Sequence, residues 1–219
     1  MPPRRPNQPV AALAKDLYEA RQLKAQHRYE DTLALYQGIL TQHPECAEAI
    51  GSLGHTLGIT GKLNAGTKMV DRALAIDPDS AELHHFRGHL DALRIRPEEA
   101  LVHFNRALEI EPKRVPTLTL AAQCCDRLNR KDDARAYADR AIAAKRTDPE
   151  ANLVLASLEA KAKNYEAAKA RLNKLIGRRS TPAETHHRAL TELGFVLDKM
   201  GDYDNAYDAF DRAGAEIEQ

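Results

Sequence analysis

Residues 47–80 read AEAIGSLGHTLGITGKLNAGTKMVDRALAIDPDS, and residues 81–114 read AELHHFRGHLDALRIRPEEALVHFNRALEIEPKR. The two stretches are equal in length and carry the same residue at three marker positions, pairing Gly54 with Gly88, Ala73 with Ala107 and Pro78 with Pro112. A fixed period of this length is typical of arrays in which each unit buries its apolar face by stacking on its neighbours. The period therefore predicts a stacked array instead of a globular domain with one central core.

Each unit contains two segments with helical spacing of apolar residues. In the first unit quoted, one apolar face includes Ile50, Leu53 and Leu57 and stops at Gly61. A second face runs from Leu63 onward and ends at Pro78, because proline cannot continue a helix. Each unit is therefore predicted to be a hairpin of two helices.

The composition restricts the class of partner. Apolar residues make up 43% of the chain, aromatic residues 5%, and tryptophan is absent, which favours closely packed helices built from small aliphatic side chains. The 32 basic residues balance the 32 acidic ones, so no overall field attracts nucleic acid or an anionic membrane. We expect a protein partner recognised by shape and local chemistry, and no nucleic acid.

The cysteines and the apolar runs indicate a compartment. Cys46, Cys124 and Cys125 do not have the spacing of metal ligands, so we expect free thiols in a reducing environment. No apolar run is long enough for a secretion signal or a membrane span. The sequence predicts a cytoplasmic protein without membrane insertion.

The repeated residues resemble the tetratricopeptide repeat (TPR), a 34-residue helix hairpin with small residues, an aromatic residue and proline at set positions. In one register the units begin near Leu13, Ala47, Ala81, Val115, Pro149 and His187, with a four-residue insertion near residues 177–184 before the last unit. The last unit matches best, through Gly194, Ala206 and Phe210. The resemblance implies an all-α, right-handed α-solenoid superhelix of six hairpins over residues 9–219. A disordered tail rich in proline and arginine is predicted at residues 1–8.

In this family the first helices of successive hairpins line a concave groove, and the resemblance implies the same here. The candidate partner-binding residues are Tyr18, Arg21, Ser52, His55, His85, Phe86, His89, Leu120, Gln123, Arg127 and Phe195. Phe86 is predicted to supply an apolar anchor, while His85, His89 and Gln123 contact the backbone of a bound peptide or helix.

Two binding modes known in the family do not fit these positions. A clamp for a terminal carboxylate needs lysine and asparagine where this chain has residues such as Leu17, Ser52 and Glu82. A ladder of asparagines along the groove is replaced by Tyr18, Ser52, Phe86, Leu120, Val154 and Glu192. Neither partner class is expected.

Histidines are concentrated on the second and third units. His85 and His89 share a helix face, and His55 occupies in its own unit the position that His89 occupies in the next. We interpret them as polar groove residues. A zinc or nickel site and a charge switch near pH 6.5 are the two alternatives.

Other polar residues have simpler interpretations. Cys124 and Cys125 are predicted to pack as small buried side chains, and His186 and His187 are predicted to be solvated near the start of the last unit. No phosphate loop, nucleophile elbow or metal-binding motif occurs in the sequence. We therefore predict no catalytic residue, no metal and no cofactor.

The end of the last repeat suggests a further contact. Residues 190–210 resemble the repeat that precedes the catalytic domain of bacterial TPR sulfotransferases, although that domain does not occur in this sequence. No capping helix follows the last repeat, which predicts self-association or a following domain at this edge. The leading interpretation is a non-enzymatic scaffold for protein–protein interaction. The alternatives are the substrate-presenting arm of a sulfotransferase and a histidine-based metal or pH sensor.

Overall fold

The computed structural model describes residues 8–215, with side chains from residue 12 onward. The chain divides into two compact parts, each larger than one sequence repeat. From here on, the first unit is Met1–Pro112 and the second unit is Lys113–Gln219. The first unit contains α1 (Gln8–Ala25), α2 (Tyr29–Gln42), α3 (Ala47–Ile59), α4 (Leu63–Ile76), α5 (Ala81–Leu93) and α6 (Pro97–Ile110). The second contains α7 (Val115–Arg127), α8 (Lys131–Ala144), α9 (Pro149–Lys161), α10 (Tyr165–Ile176), α11 (Ala183–Met200) and α12 (Tyr203–Ala215).

Each unit is a stack of three helix hairpins. The first and second helices of a hairpin pack together, as α3 with α4 and α9 with α10. The second helix also packs on the first helix of the next hairpin, as α2 on α3 and α10 on α11, and neighbouring first helices touch in the pairs α3–α5, α7–α9 and α9–α11. Within residues 8–215 every regular element is a helix, which confirms the predicted all-α solenoid class. We call the surface formed by the first helices of a unit its first-helix face.

One residue in the turn of every hairpin adopts a left-handed backbone conformation. These residues are His27, Gly61, Ile95, Asn129, Lys163 and Gly201. The first five follow each other at the period of the sequence repeat, and the last comes four positions later than that period predicts. The sequence period is therefore also a backbone period, because each hairpin closes through the same turn.

In two of the hairpins the helices approach so closely that the crossing excludes a side chain. A Cβ atom on Gly54 would lie 2.7 Å from the carbonyl oxygen of Gly66, across the α3–α4 crossing. In the last hairpin a Cβ atom on Gly194 would lie 2.6 Å from the Phe210 ring. Both distances are well inside van der Waals contact, so glycine is a steric requirement of these two crossings. The same position carries the next smallest residue in three other hairpins, Ala20, Ala122 and Ala156.

The first helices in the middle of the chain begin at the predicted repeat starts, and the first helices at both ends of the chain begin elsewhere. Helices α3, α5, α7 and α9 begin at the four predicted residues. Helix α1 begins at Gln8, and residues 1–7 of the predicted tail lie outside the described residues. Helix α11 begins at Ala183, ahead of the predicted start near His187. Part of the four-residue insertion therefore lengthens a helix by one turn.

The prediction that His186 and His187 are solvated was wrong. Both side chains are half-buried. The Nε2 atom of His186 lies 3.2 Å from the carbonyl oxygen of Ile176, and Nδ1 of His187 lies 2.9 Å from that of Ala213. The extra turn of α11 brings both imidazoles against carbonyl groups of neighbouring helices.

The two adjacent cysteines on α7 are core residues, as predicted. Cys124 and Cys125 are each 2% exposed. Burial raises the pKa of Cys125 to about 11, so the side chain is a protonated thiol at neutral pH. A packing role is therefore confirmed for this pair.

Two buried carboxylates that the sequence analysis overlooked occur at the same position of different repeats. Asp91 on α5 is 2% exposed and pairs with Arg87. Glu159 on α9 is 7% exposed and receives hydrogen bonds of 2.7 and 3.0 Å from Arg171 on α10. A bidentate arginine is the partner that a buried carboxylate requires, so the Glu159–Arg171 pair ties α9 to α10.

Replacing Gly54 by alanine should lower the free energy of unfolding by about 1–3 kcal/mol, because the new methyl group overlaps backbone atoms of α4. Gly38 on α2 is an exposed helical glycine, and a Cβ atom added to it would have nothing within 4 Å. Gly38→Ala should therefore raise stability by about 0.5–1 kcal/mol through helix propensity alone. Urea titrations followed by circular dichroism measure both variants, and equal effects of the two substitutions would contradict the steric account.

Replacing Ile95 by asparagine should stabilise the protein by about 1 kcal/mol, because a β-branched residue is strained at positive φ and asparagine tolerates it. Ile95 has φ of 60° and is 79% exposed, so little buried apolar contact is lost. The reciprocal variant Asn129→Ile should lose a similar amount at the equivalent turn. An unchanged or lower urea midpoint for Ile95→Asn would show that the turn carries no such strain.

Candidate functional site

The first-helix face of the first unit is occupied by an aromatic cluster. The Phe86 ring on α5 stacks on the His55 ring on α3, with centroids 4.3 Å apart and planes inclined by 13°. The Nζ atom of Lys24, from α1, lies 4.4 Å from the centroid of Phe86, in the geometry of a cation–π contact. Three successive first helices therefore contribute to one packed group, which we call the Phe86 cluster.

A pair of imidazoles completes the Phe86 cluster. Nε2 of His55 and Nδ1 of His89 are 2.9 Å apart, so one of these nitrogens donates to the other. Burial lowers the pKa of both histidines, and the nearby Lys24 ammonium lowers it further. Both shifts favour the neutral imidazoles, so the arrangement lends no support to a charge switch near pH 6.5.

Lys24 covers the Phe86 cluster and is itself partly desolvated there. Burial lowers the pKa of its ammonium to about 8, and the Glu82 carboxylate opposes this change. The side chain is thus still mainly protonated at neutral pH, which preserves its attraction to the Phe86 ring. Next to it on α1, Arg21 forms an ion pair with Glu48 of α3.

The predicted groove residues of the first unit lie on the first helices α1, α3 and α5, but most of them are buried. Exposure is 3% for Ser52, 7% for His55, 8% for His85 and 5% for Phe86. His89 is half-buried. The structure places Phe86 beneath Lys24 and against His55, so it is not an open anchor in this conformation. Tyr18 and Arg21 are the exposed members of the predicted set on this unit.

The histidines do not assemble into a metal site. Among the residues that the structure describes, no group of three or more His, Cys, Asp or Glu side chains is placed to hold a metal ion. The His85 ring lies 6.3 Å from the His89 ring and 6.1 Å from the Phe104 ring. The metal alternative therefore gains no support from the arrangement.

The second unit has an open pocket at the equivalent place. A cavity of about 380 Å³ lies on the first-helix face formed by α7, α9 and α11. Its lining residues are Gln123, Asp126, Arg127, Leu153, Val154, Ser157, His187, Arg188, Thr191 and Glu192. We call this cavity the second-unit pocket. Two predicted groove residues, Gln123 and Arg127, line it.

The repeat register explains why one face is filled and the other is open. Within its own unit, Ser157 on α9 occupies the position of His55 on α3, and Glu192 on α11 occupies the position of Phe86 on α5. The two stacked rings of the first unit are thus replaced by a hydroxymethyl group and a carboxylate-bearing side chain. The second-unit pocket lies where the second unit lacks this ring stack.

A carboxylate organises one side of the second-unit pocket. Glu150 at the start of α9 accepts hydrogen bonds from Gln123 Nε2 at 3.1 Å and from Arg188 Nη1 at 2.8 Å. The Thr185 hydroxyl donates to its other oxygen at 2.5 Å. One side chain thus links α7, α9 and α11, although these donors are distant from it in sequence.

A second ion pair borders the pocket, and two charged side chains there lack such a partner. Lys161 on α9 contacts Asp126 on α7 at 2.6 Å. Arg127 and Glu192 line the cavity and form no ion pair within residues 8–215. The floor is apolar, since Leu153 and Val154 are 5% and 6% exposed. The pocket therefore offers an apolar floor with hydroxyl, amide and charged groups around it.

The remaining two predicted residues lie outside the pocket. Leu120 on α7 is half-buried and does not line the cavity. Phe195 on α11 is 56% exposed and contacts Phe210 of α12 edge to face, with ring centroids 5.2 Å apart.

The hydrogen bonds by which Glu150 links α7, α9 and α11 were not predicted from the sequence. The residues that donate these bonds lie at sequence separations that the repeat period does not reveal.

Two features bear on the class of the protein. Within residues 8–215, no helix is both long and apolar enough to cross a membrane. A comparison with curated proteins gives no significant match in sequence.

The comparisons with known structures give the fold. PilW, described as a widely conserved type IV pilus biogenesis factor, is 21% identical, with a TM-score of 0.78 over 97% of this chain and 95% of that one. The TPR protein TTC0263 of Thermus thermophilus is 22% identical, with a TM-score of 0.71 over 83% and 98%. YrrB, described as a TPR protein with an unusual peptide-binding site, is 20% identical, with a TM-score of 0.57 over 80% and 88%.

Family profiles give the same result from the sequence. Two profiles described as tetratricopeptide repeat match residues 96–158 and residues 187–213. The second match coincides with the last hairpin, and the repeated turn residues extend the same register through all described hairpins. The chain is a tetratricopeptide repeat protein.

Proposed function

We propose that this protein is a non-enzymatic scaffold that binds a peptide segment of a partner protein in the second-unit pocket. Proteins of this family are in general scaffolds for protein–protein interaction. The observation that carries the proposal is the open cavity across α7, α9 and α11. The corresponding place in the first unit is filled by the Phe86 cluster. A surface with this position and chemistry suits an extended peptide.

The chemistry of the second-unit pocket suits a main chain with one small apolar side chain. Leu153 and Val154 form an apolar floor, while Gln123 and Ser157 offer polar groups at the wall. The Gln123 amide already donates to Glu150, so its carbonyl oxygen is the group oriented for a backbone N–H of a ligand. Arg127 supplies a cation for a peptide carboxylate.

The rigidity of the pocket wall supports binding without rearrangement. Glu150 holds α7 and α11 through three hydrogen bonds, and the Asp126–Lys161 pair adds a link between α7 and α9. A wall fixed in this way loses little conformational freedom when a ligand binds. The likeness to YrrB supports the proposal only at the level of the fold, since its identity to this chain is 20%.

Binding, and not catalysis, is the proposed activity. Lys24, His55 and His89, whose pKa values are lowered mainly by burial, are packed together in the Phe86 cluster of the first unit. Their shifts follow from burial in a filled cluster and from one another, and none of the three lines the second-unit pocket. The resemblance of the last repeat to those of sulfotransferases stays a prediction, as does the cytoplasmic location.

Replacing Ser157 by tryptophan should abolish peptide binding, because the indole fills the second-unit pocket. Phage displaying random 12-residue peptides are selected on the wild type, and the enriched peptides are synthesised and titrated by fluorescence anisotropy. We expect the dissociation constant to rise at least tenfold for Ser157→Trp and for Arg127→Ala.

The matched control is Tyr18→Ala on α1, an exposed predicted groove residue of the first unit. Its affinity should stay within twofold of the wild type. The assignment to the second-unit pocket would be wrong if Tyr18→Ala lowered the affinity of the selected peptides as strongly as Ser157→Trp does. It would also be wrong if Ser157→Trp left their affinity unchanged.

A further inference from the structure

A second surface, separate from the pocket, lies on the last hairpin. Phe210 on α12 has five counterparts at the same repeat position, Tyr36, Val70, Phe104, Ala138 and Leu172. All five are 0% exposed, whereas Phe210 is 37% exposed. A position that is buried in every other hairpin is therefore partly open to solvent in this one.

The covering element at the equivalent positions is a helix. Tyr36 on α2 shares a core cluster with Ala49 and Leu53 of α3. Leu172 on α10 shares another with Ala189 and Leu193 of α11. In each case the neighbour is the first helix of the next hairpin, so the surface around Phe210 has the shape that receives a helix.

The exposed surface around Phe210 is aromatic. Tyr203 and Tyr207 precede Phe210 on α12 at helical spacing and are 69% and 71% exposed, and Phe195 adds a ring that is 56% exposed. At the position of Tyr203, Tyr165 of the preceding hairpin is half-buried against the α11 side of its core. We call the surface formed by Phe195, Tyr203, Tyr207 and Phe210 the α12 aromatic face.

Carboxylates accompany the aromatic face. Asp204, Asp208 and Asp211 are exposed on α12, and none of them has an ion-pair partner within the described part of the chain. Asp208 lies on the side of α12 away from Phe210, in a cavity that Lys169 of α10 and Arg212 also line, so Asp204 and Asp211 are the carboxylates nearest the aromatic face. Arg212 is the single basic residue of this helix. A second α12 would bring like charges together, so charge complementarity favours a basic partner over an isologous pairing of two copies.

We propose that the α12 aromatic face docks a basic amphipathic helix of a partner protein, with an apolar stripe flanked by lysine or arginine. The apolar stripe covers Phe210 and Phe195, as a first helix covers the equivalent residues elsewhere in the chain. The flanking cations face Asp204 and Asp211. This contact is independent of the second-unit pocket.

The test uses a fluorescein-labelled synthetic helix of about five turns, built from leucine and lysine, and a matched helix of leucine and glutamate. Fluorescence anisotropy should show binding of the lysine peptide that weakens with salt, and at least tenfold weaker binding of the glutamate peptide. The double variant Tyr203→Ser/Tyr207→Ser should weaken binding of the lysine peptide at least tenfold, and Asp204→Lys, which keeps the aromatic stripe, should also weaken it. Tyr18→Ser, an exposed tyrosine on α1, and Ser157→Trp in the second-unit pocket should each leave the affinity within twofold.

Three results would overturn the proposal. The first is equal affinity for the two peptides, and the second is an affinity of the double tyrosine variant within twofold of the wild type. The third is a wild-type dimer in analytical ultracentrifugation that the double variant abolishes, because a second copy would then be the occupant. If Ser157→Trp were the only variant that lost binding of the lysine peptide, the peptide would lie in the second-unit pocket. The two surfaces would then not be independent.

Discussion

The close crossing of two helices within each hairpin is the constraint on which the rest of the structure depends. Where α3 meets α4, the backbone of Gly54 touches that of Gly66, and where α11 meets α12, Gly194 receives the Phe210 ring. These contacts fix the separation of the helices in a hairpin, and the left-handed turn residue fixes how the chain passes from one to the other. A constant hairpin geometry then places the first helices side by side in each unit. The functional faces are a consequence of that repetition.

The period predicted this part of the fold because it depends on local steric requirements. Small residues and turn residues are needed at fixed distances along the chain, so the starts of α3, α5, α7 and α9 could be read from the sequence. The extra turn of α11 could not be predicted in the same way, because residues 183–186 fit both a loop and a helix by propensity. The contact of His186 with a carbonyl group of α10 favours the helix.

Register placed the candidate residues on first helices, but it did not indicate which of them line an open pocket. Register correctly placed Phe86, His55 and Gln123 on first helices. Whether such a position is open depends on long side chains from neighbouring helices, as Lys24 shows by covering Phe86 from α1. The contacts of Glu150 with residues 123, 185 and 188 are likewise tertiary. The same fold thus carries a filled face in one unit and a pocket in the other, through differences such as His55 against Ser157.

The central claim is that partner binding uses the open face of the second unit and leaves the Phe86 cluster packed. Amide chemical shifts in ¹H–¹⁵N correlation spectra, recorded with and without a bound selected peptide, test it most directly. The account predicts that the largest changes occur in α7, α9 and α11, around Gln123, Ser157 and Thr191. Largest changes at His55, Phe86 and His89, with residues of the second unit unmoved, would contradict it.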